Sequence, residues 1–265
     1  MPQPLPSQPL QGKISIVTGA SRGIGRSIAI RLAAEGSSVV LCARDQALLD
    51  AAAVEIRNTG GTAETIALDL RERDSGQQIV DFAMKKFGRI NVLVNNAGAT
   101  KRGDFLELTD EDFADGFALK FFGSVRLTRA CWTHLKAASG SLVFISGVGG
   151  RTPGAQFAIG GSVNAALLSL TKALADLGLR DGVQVNCVNP GTIRTARYTG
   201  RLNALAKERG LDPESAEREY VKNAAIARIG EPEDIAALVA FIASPEGKML
   251  HGALIDMDAG ATKTI

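Results

Sequence analysis

The chain has 265 residues, 45% of them apolar and 22% charged, a size and composition that one α/β domain fills. Thirty basic against 28 acidic residues leave a net charge of +2, which excludes the basic excess that nucleic acid or an anionic membrane surface requires. Cys42, Cys131 and Cys187 stand singly in apolar text, without metal-ligand spacing or a pairing framework. Buried thiols, no metal and a cytoplasmic location are therefore expected.

The opening residues, 1–12, are proline-rich and lack both a basic start and an apolar run, so they read as a flexible arm ahead of a domain over 13–265. No apolar stretch is expected to reach the ~18 residues of a membrane span. Short β-rich runs then alternate with helical patterns. Strands are expected at 13–18, 38–43, 63–68, 91–95, 141–146, 183–189 and 253–257. Helices are expected at 23–35, 46–58, 76–87, 110–136, 153–177 and 232–243, each with apolar residues at three-and-four spacing. Such alternation predicts a single-domain Rossmann fold, a doubly wound seven-stranded parallel sheet with helices on both faces. Only 192–228 interrupts it, with charged helical text of the length expected of a lid.

Directly after the first strand comes Gly19-Ala20-Ser21-Arg22-Gly23-Ile24-Gly25, leading into a helix. Glycines let backbone approach a pyrophosphate, and the helix N-terminus presents free amides and a favourable dipole to it. The second strand ends Ala43-Arg44-Asp45, with no carboxylate where one would hold an adenosine ribose diol. Arg44, with Arg22 in the glycine turn, favours NADP over NAD, since a guanidinium suits a 2′-phosphate. The alternative is that Arg44 and Asp45 merely begin and cap a solvated helix.

Together with that turn, Asn95-Asn96-Ala97-Gly98 after the fourth strand resembles the short-chain dehydrogenase/reductase family, and the likeness runs from about Lys13 to Gly260. It includes Asp69, Asn189-Pro190-Gly191-Thr192-Ile193, Arg228-Ile229-Gly230-Glu231-Pro232 and Asp258-Ala259-Gly260. The resemblance implies that Asp69 contacts adenine and that Asn95, Ala97 and Gly98 line the ribose and nicotinamide path. It further implies that Thr192 and Ile193, after Pro190 and Gly191, meet the carboxamide, and that the protein is a homodimer or homotetramer acting on a small molecule.

The same resemblance implies a reaction centre of asparagine, serine, tyrosine and lysine. Anchored on Leu170-Thr171-Lys172-Ala173-Leu174-Ala175, the tyrosine position falls on Gly160 and the lysine position on Asn164. The serine position falls on Gly147, just after Ser146, and the helix asparagine on Lys120. Carbonyl reduction needs a proton donor beside the oxygen, worth ~10²–10⁴ in rate, and no tyrosine stands nearby in sequence. Lys120 can serve if desolvated; otherwise it is a solvated or interface lysine. Ser146 can hold the substrate oxygen, although strand alternation aims it at the other face. Asn164 keeps a hydrogen bond for the ribose. Arg151 and Gln156 can bind an anionic substrate group, and Tyr198 and Arg197 can enter with the lid; His134 and His251 read as structural. The remaining lid charges, Arg194, Arg201, Lys207 and Arg209 against Glu208, Asp212, Glu214, Glu217 and Glu219, read as a balanced solvated face. The expected function is hydride transfer between NADP(H) and a small carbonyl or alcohol by a non-standard site. The alternative is a catalytically inactive, cofactor-binding regulatory or partner subunit.

Overall fold

The computed structural model describes residues 8–263. Strands β1 (Ile14–Thr18), β2 (Ser38–Ala43), β3 (Thr62–Ala67), β4 (Val92–Asn95), β5 (Ser141–Ile145), β6 (Gln184–Pro190) and β7 (Leu254–Met257) form one sheet. All its pairings are parallel and its order is β3-β2-β1-β4-β5-β6-β7. Period-two alternation splits each central strand between two cores. Val17, Leu41, Val94, Val143 and Ile145 face helices α1 (Gly23–Ala34), α2 (Gln46–Asn58) and α9 (Pro232–Ala243). Ile16, Val40, Leu93, Leu142 and Phe144 face α3 (Ser75–Phe87), α5 (Gly123–Ala137) and α6 (Ala158–Asp181). Burial on both faces explains why these strands read as continuous apolar runs. The chain reverses its winding between β1 and β4, so a crevice opens beyond the carboxyl ends of those two strands.

Three departures from the sequence reading concern the site. The helix expected over 110–136 is α4 (Asp110–Gly116), a π-helical turn (Phe117–Phe122) and then α5. The helix expected at 153–177 begins at Ala158, after short 3-10 turns at Val148–Gly150 and Ala155–Phe157, and runs on to Asp181. The segment expected to form a lid folds as α7 (Ala196–Arg209) and α8 (Pro213–Ala224), packed on each other around Tyr198, Leu202, Ala206 and Ala216.

Two smaller corrections concern the ends and the membrane question. Residues 8–12 of the expected arm are packed rather than loose: Leu10 is fully buried and its amide donates to Glu35 O at 2.9 Å; residues 1–7 lie outside the described ones. The helix ending at Asp181 does hold an 18-residue window of mean hydropathy 1.3. It packs on β6 and on the 3-10 turn at Val148–Gly150.

Candidate functional site

The glycine turn is shaped by close contact. Gly19 has φ +65°, and a Cβ there would lie 2.9 Å from Asn96 Nδ2; a Cβ on Gly25 would lie 2.3 Å from Gly19 O. Asn96 Nδ2 donates to Thr18 O at 2.9 Å, and Thr18 Oγ1 accepts the amides of Asn96 and Ala97 at 2.9 and 3.0 Å. Thr18 and Asn96, to which the sequence motifs assigned no role of their own, thus clamp the ends of β1 and β4 together. Arg22 at the N-cap of α1 makes no side-chain capping bond, and the first turn carries no acidic residue. The amides at this terminus are left for an anion, which is the chemistry a dinucleotide pyrophosphate fits. Ser21 and Ile24 are half-buried beside them.

At the end of β2, Asp45 caps α2 by accepting Leu48 N at 3.1 Å. Arg44 takes no part in the cap. Its Nη1 stands 3.8 Å from Asp69 Oδ2 and its side chain is 65% exposed, so it is free to meet a phosphate. Asp69 Oδ1 also accepts Arg71 N at 3.0 Å. The Asn95 side chain is buried and Nδ2 donates to Thr128 Oγ1 on α5 at 2.9 Å, bracing β4 against that helix. Ala97 and Gly98 follow at the crevice. On its other side, Pro190 ends β6, the amide of Gly191 donates to Met257 O at 3.0 Å, and Ile193 is buried. Thr192 Oγ1 and the Tyr220 hydroxyl share a hydrogen bond at 2.8 Å. This places a phenol from α8 beside the crevice; 28 residues of chain separate it from Thr192, and no local pattern marks it.

The four positions singled out for chemistry converge. Lys120, on the π turn, donates from Nζ to Asn164 Oδ1 at 2.6 Å and to Ser146 O at 2.8 Å. Its aliphatic stem passes over Gly98, where a Cβ would lie 2.7 Å from Lys120 Cδ. Burial, reinforced by repulsion from Arg197, pushes the Lys120 ammonium down to about 8. Lys120 is thus neither solvated nor at a bare surface. Ser146 Oγ donates to Asn164 O at 3.1 Å, so its hydroxyl ties β5 to α6 and is not directed at the crevice. A Cβ on Gly147 would lie 2.9 Å from Asn164 Nδ2. At Gly160 a Cβ would fall 2.1 Å from the Phe157 ring, and at Gly149 2.8 Å from it. Phe157 therefore fills the volume a side chain at position 160 would occupy, and the Arg102 guanidinium lies 4.0 Å from its centroid.

Several candidates are drawn elsewhere. Tyr198 is buried in the lid, donates to Glu217 Oε2 at 3.2 Å, and is pushed up to about 12 by burial and that carboxylate. Arg151 is held by Asp256 Oδ2 at 3.2 Å and the carbonyl of Leu254, and Gln156 is exposed. His251 Nε2 bonds Ala175 O at 2.7 Å, a structural role as expected. Arg197 does reach the site, donating to Gly98 O at 3.3 Å. The three cysteines are free and buried.

Comparison with known proteins agrees with this geometry. The family profile described as short chain dehydrogenase matches residues 13–204. Dehydrogenase/reductase SDR family member 4 of Caenorhabditis elegans is 34% identical over 94% of this chain and 95% of its own. The short-chain reductase protein NovJ of Streptomyces niveus is also 34% identical, over 94% of each chain. Among solved structures, L-sorbose reductase from Gluconobacter frateurii, complexed with NADPH and L-sorbose, superposes with a TM-score of 0.93 at 29% identity, over 98% of this chain and 100% of that one. Likeness of this extent in sequence, together with a shared seven-stranded sheet, establishes that the chain belongs to the short-chain dehydrogenase/reductase family of oxidoreductases.

Proposed function

We propose that the protein is an NADP(H)-dependent oxidoreductase that interconverts a small carbonyl compound and its alcohol at a non-standard site centred on Lys120. The observation that carries this reading is the Lys120–Asn164 pair. The family pattern places an asparagine on the helix before α5 and a lysine on α6; here the lysine is on the first element and the asparagine on the second, so one cation still serves the same crevice. When bound, NADPH supplies the hydride that reduces a carbonyl carbon. An ammonium has three donors, and two of those on Lys120 are taken by Ser146 O and Asn164 Oδ1. The third is left to give its proton to the carbonyl oxygen, after which Lys120 is neutral and recovers a proton from solvent. A value near 8 suits a general acid and base working close to neutrality. Asn164 orients the donor, and Phe157 keeps water out of the volume at Gly160.

NADP(H) over NAD(H) is supported by Arg22 and by Arg44 at the β2 end, guanidiniums placed where a 2′-phosphate would distinguish the two. A homo-oligomer, dimer or tetramer, suits the exposed Phe122 and Leu179 at α5 and α6, and a reducing cytoplasm suits three buried free thiols. Phe157 in the place of a tyrosine favours one second reading, a cofactor-binding subunit without turnover.

The test is NADPH consumption across a panel of aldehydes and ketones by the wild type and by Lys120→Met, with NADPH affinity measured alongside. Loss of about 10²-fold or more in kcat/KM with NADPH affinity retained is expected. Equal activity in the variant removes Lys120 from the chemistry, and NADPH binding without turnover of any carbonyl by the wild type supports the second reading.

A further inference from the structure

The lid divides its arginines into two groups. Arg194 is bound to Glu217 and Glu231, Arg209 to Glu219 and Arg218 to Glu214, all on the lid or just after it. These pairs use Glu214, Glu217 and Glu219, three of the five carboxylates that balanced the lid's charge in the sequence, and Glu231 beyond it. Among the described residues, Arg197 and Arg201 have no carboxylate within salt-bridge distance, and neither has Arg102, on the loop after β4. Arg201 acts by its charge on both Arg102 and Arg197, and Arg197 on Arg102. Loss of hydration, with the neighbouring charges of Arg201 and Arg197, holds Arg102 below its ordinary value, and loss of hydration with Arg201 and Arg22 does the same for Arg197. Like charges brought together and partly desolvated destabilise one another unless an anion sits among them.

Two of them stand at the mouth of the crevice. Arg102 stacks on Phe157, the ring that covers Gly160. Arg197 donates to Gly98 O, while the stem of Lys120 lies against the Cα side of that same glycine. A planar guanidinium held on an aromatic ring and a second one fixed by a backbone carbonyl are oriented donors, suited to a planar or tetrahedral oxyanion.

We propose that Arg102, Arg197 and Arg201 form a binding site for the anionic group, carboxylate or phosphate, of the substrate, so that the protein selects carbonyl compounds or alcohols carrying such a group. Assigning the anion to the substrate rests on the reading of Lys120 as the reaction centre; the anion site itself does not.

The experiment is calorimetric titration of the full-length, NADPH-saturated protein with malonate and, separately, with inorganic phosphate. Wild type is compared with Arg102→Gln/Arg201→Gln, two exposed positions outside the cofactor turn, and with Lys120→Met. Saturable binding of at least one probe is expected, weakened about tenfold or more in the double variant, with NADPH affinity unchanged in that variant and probe affinity unchanged in Lys120→Met. The preferred probe then distinguishes a carboxylate from a phosphate. Absence of saturable binding, equal binding in the double variant, or binding that NADPH saturation abolishes would overturn the proposal, the last because the probe would be replacing a cofactor phosphate. None of these outcomes depends on turnover, so the anion site and the role of Lys120 stand or fall separately.

Discussion

Lys120 and Asn164 meet at 2.6 Å, Nζ to Oδ1, across the gap between the π turn and α6. The contact joins two elements of the helical layer and leaves an ammonium within the fold at a value near 8 instead of 10.5. Below about 8 the fold holds a charge it disfavours; between about 8 and 10.5 an unfolded chain binds a proton that the folded one has released. Wild-type stability should accordingly rise relative to Lys120→Met as pH passes through that interval. Melting temperatures of both proteins from pH 7 to 10.5 check this, and a constant difference would contradict it. The same ionisation should make kcat/KM for carbonyl reduction fall above about pH 8, and make alcohol oxidation rise there.

Rebuilding the family pattern needs more than three substitutions. Gly147→Ser, Gly160→Tyr and Asn164→Lys together would drive a ring into Phe157 and set a second ammonium against Lys120. Overpacking of this kind costs about 1–3 kcal/mol, so the triple variant should unfold at lower urea than wild type. Adding Phe157→Ala and Lys120→Asn should recover most of the loss; no recovery in the five-fold variant would show that the crevice is shaped by something other than these two side chains.

Arg44→Gln should discriminate between cofactors. A charge-assisted hydrogen bond is worth about 1.5–3 kcal/mol, so NADPH affinity should fall about tenfold or more while NADH affinity changes little. Equal loss for both cofactors would place Arg44 on a phosphate they share.

Much of this was legible beforehand, for reasons that differ by element. Each strand edge lies within a residue or so of its expected place because Val17, Leu41 and Val94 alternate with Ile16, Val40 and Leu93 between two buried faces. The glycine turn was equally plain, since a Cβ at Gly19 or Gly25 has no room. The π turn was not, because apolar spacing looks the same on either side of one extra residue. The direction of Asn95 depends on Thr128, 33 residues later, and the nearness of Tyr220 to Thr192 depends on how α8 packs; neither is a local property of the chain. The sharing out of lid charges was hidden for a related reason: composition counts carboxylates, whereas pairing depends on which face of α7 each arginine occupies.

Asp181 offers a check on the scaffold away from the crevice. Trp132 Nε1, Lys136 Nζ and Arg180 Nε donate to its carboxylate at 2.8, 2.9 and 3.2 Å, which holds it well below the usual carboxylate range. The stabilisation it gives is present above 3.8 and is lost as pH falls through its lowered value. Asp181→Ala should melt below wild type at pH 7, with the deficit shrinking in strong acid; a deficit that already disappears near pH 4 would mean an unshifted carboxyl.

The π turn at Phe117–Phe122 makes chain length itself a control on chemistry. Upstream of it, Gly116 is locked against Ile159, with room for no Cβ; downstream, Gly76 lies against the backbone of Leu127 on α5. With both ends held, the turn takes up one residue more than a regular helix would, so deletion of one residue between them would leave both ends seated and turn the residues inside it, Lys120 among them, by roughly 100°, one α-helical step. Lys120 would then lose its reach to Asn164. A single codon lost or gained in this turn could thus switch which group faces the crevice while every side chain in it stayed the same.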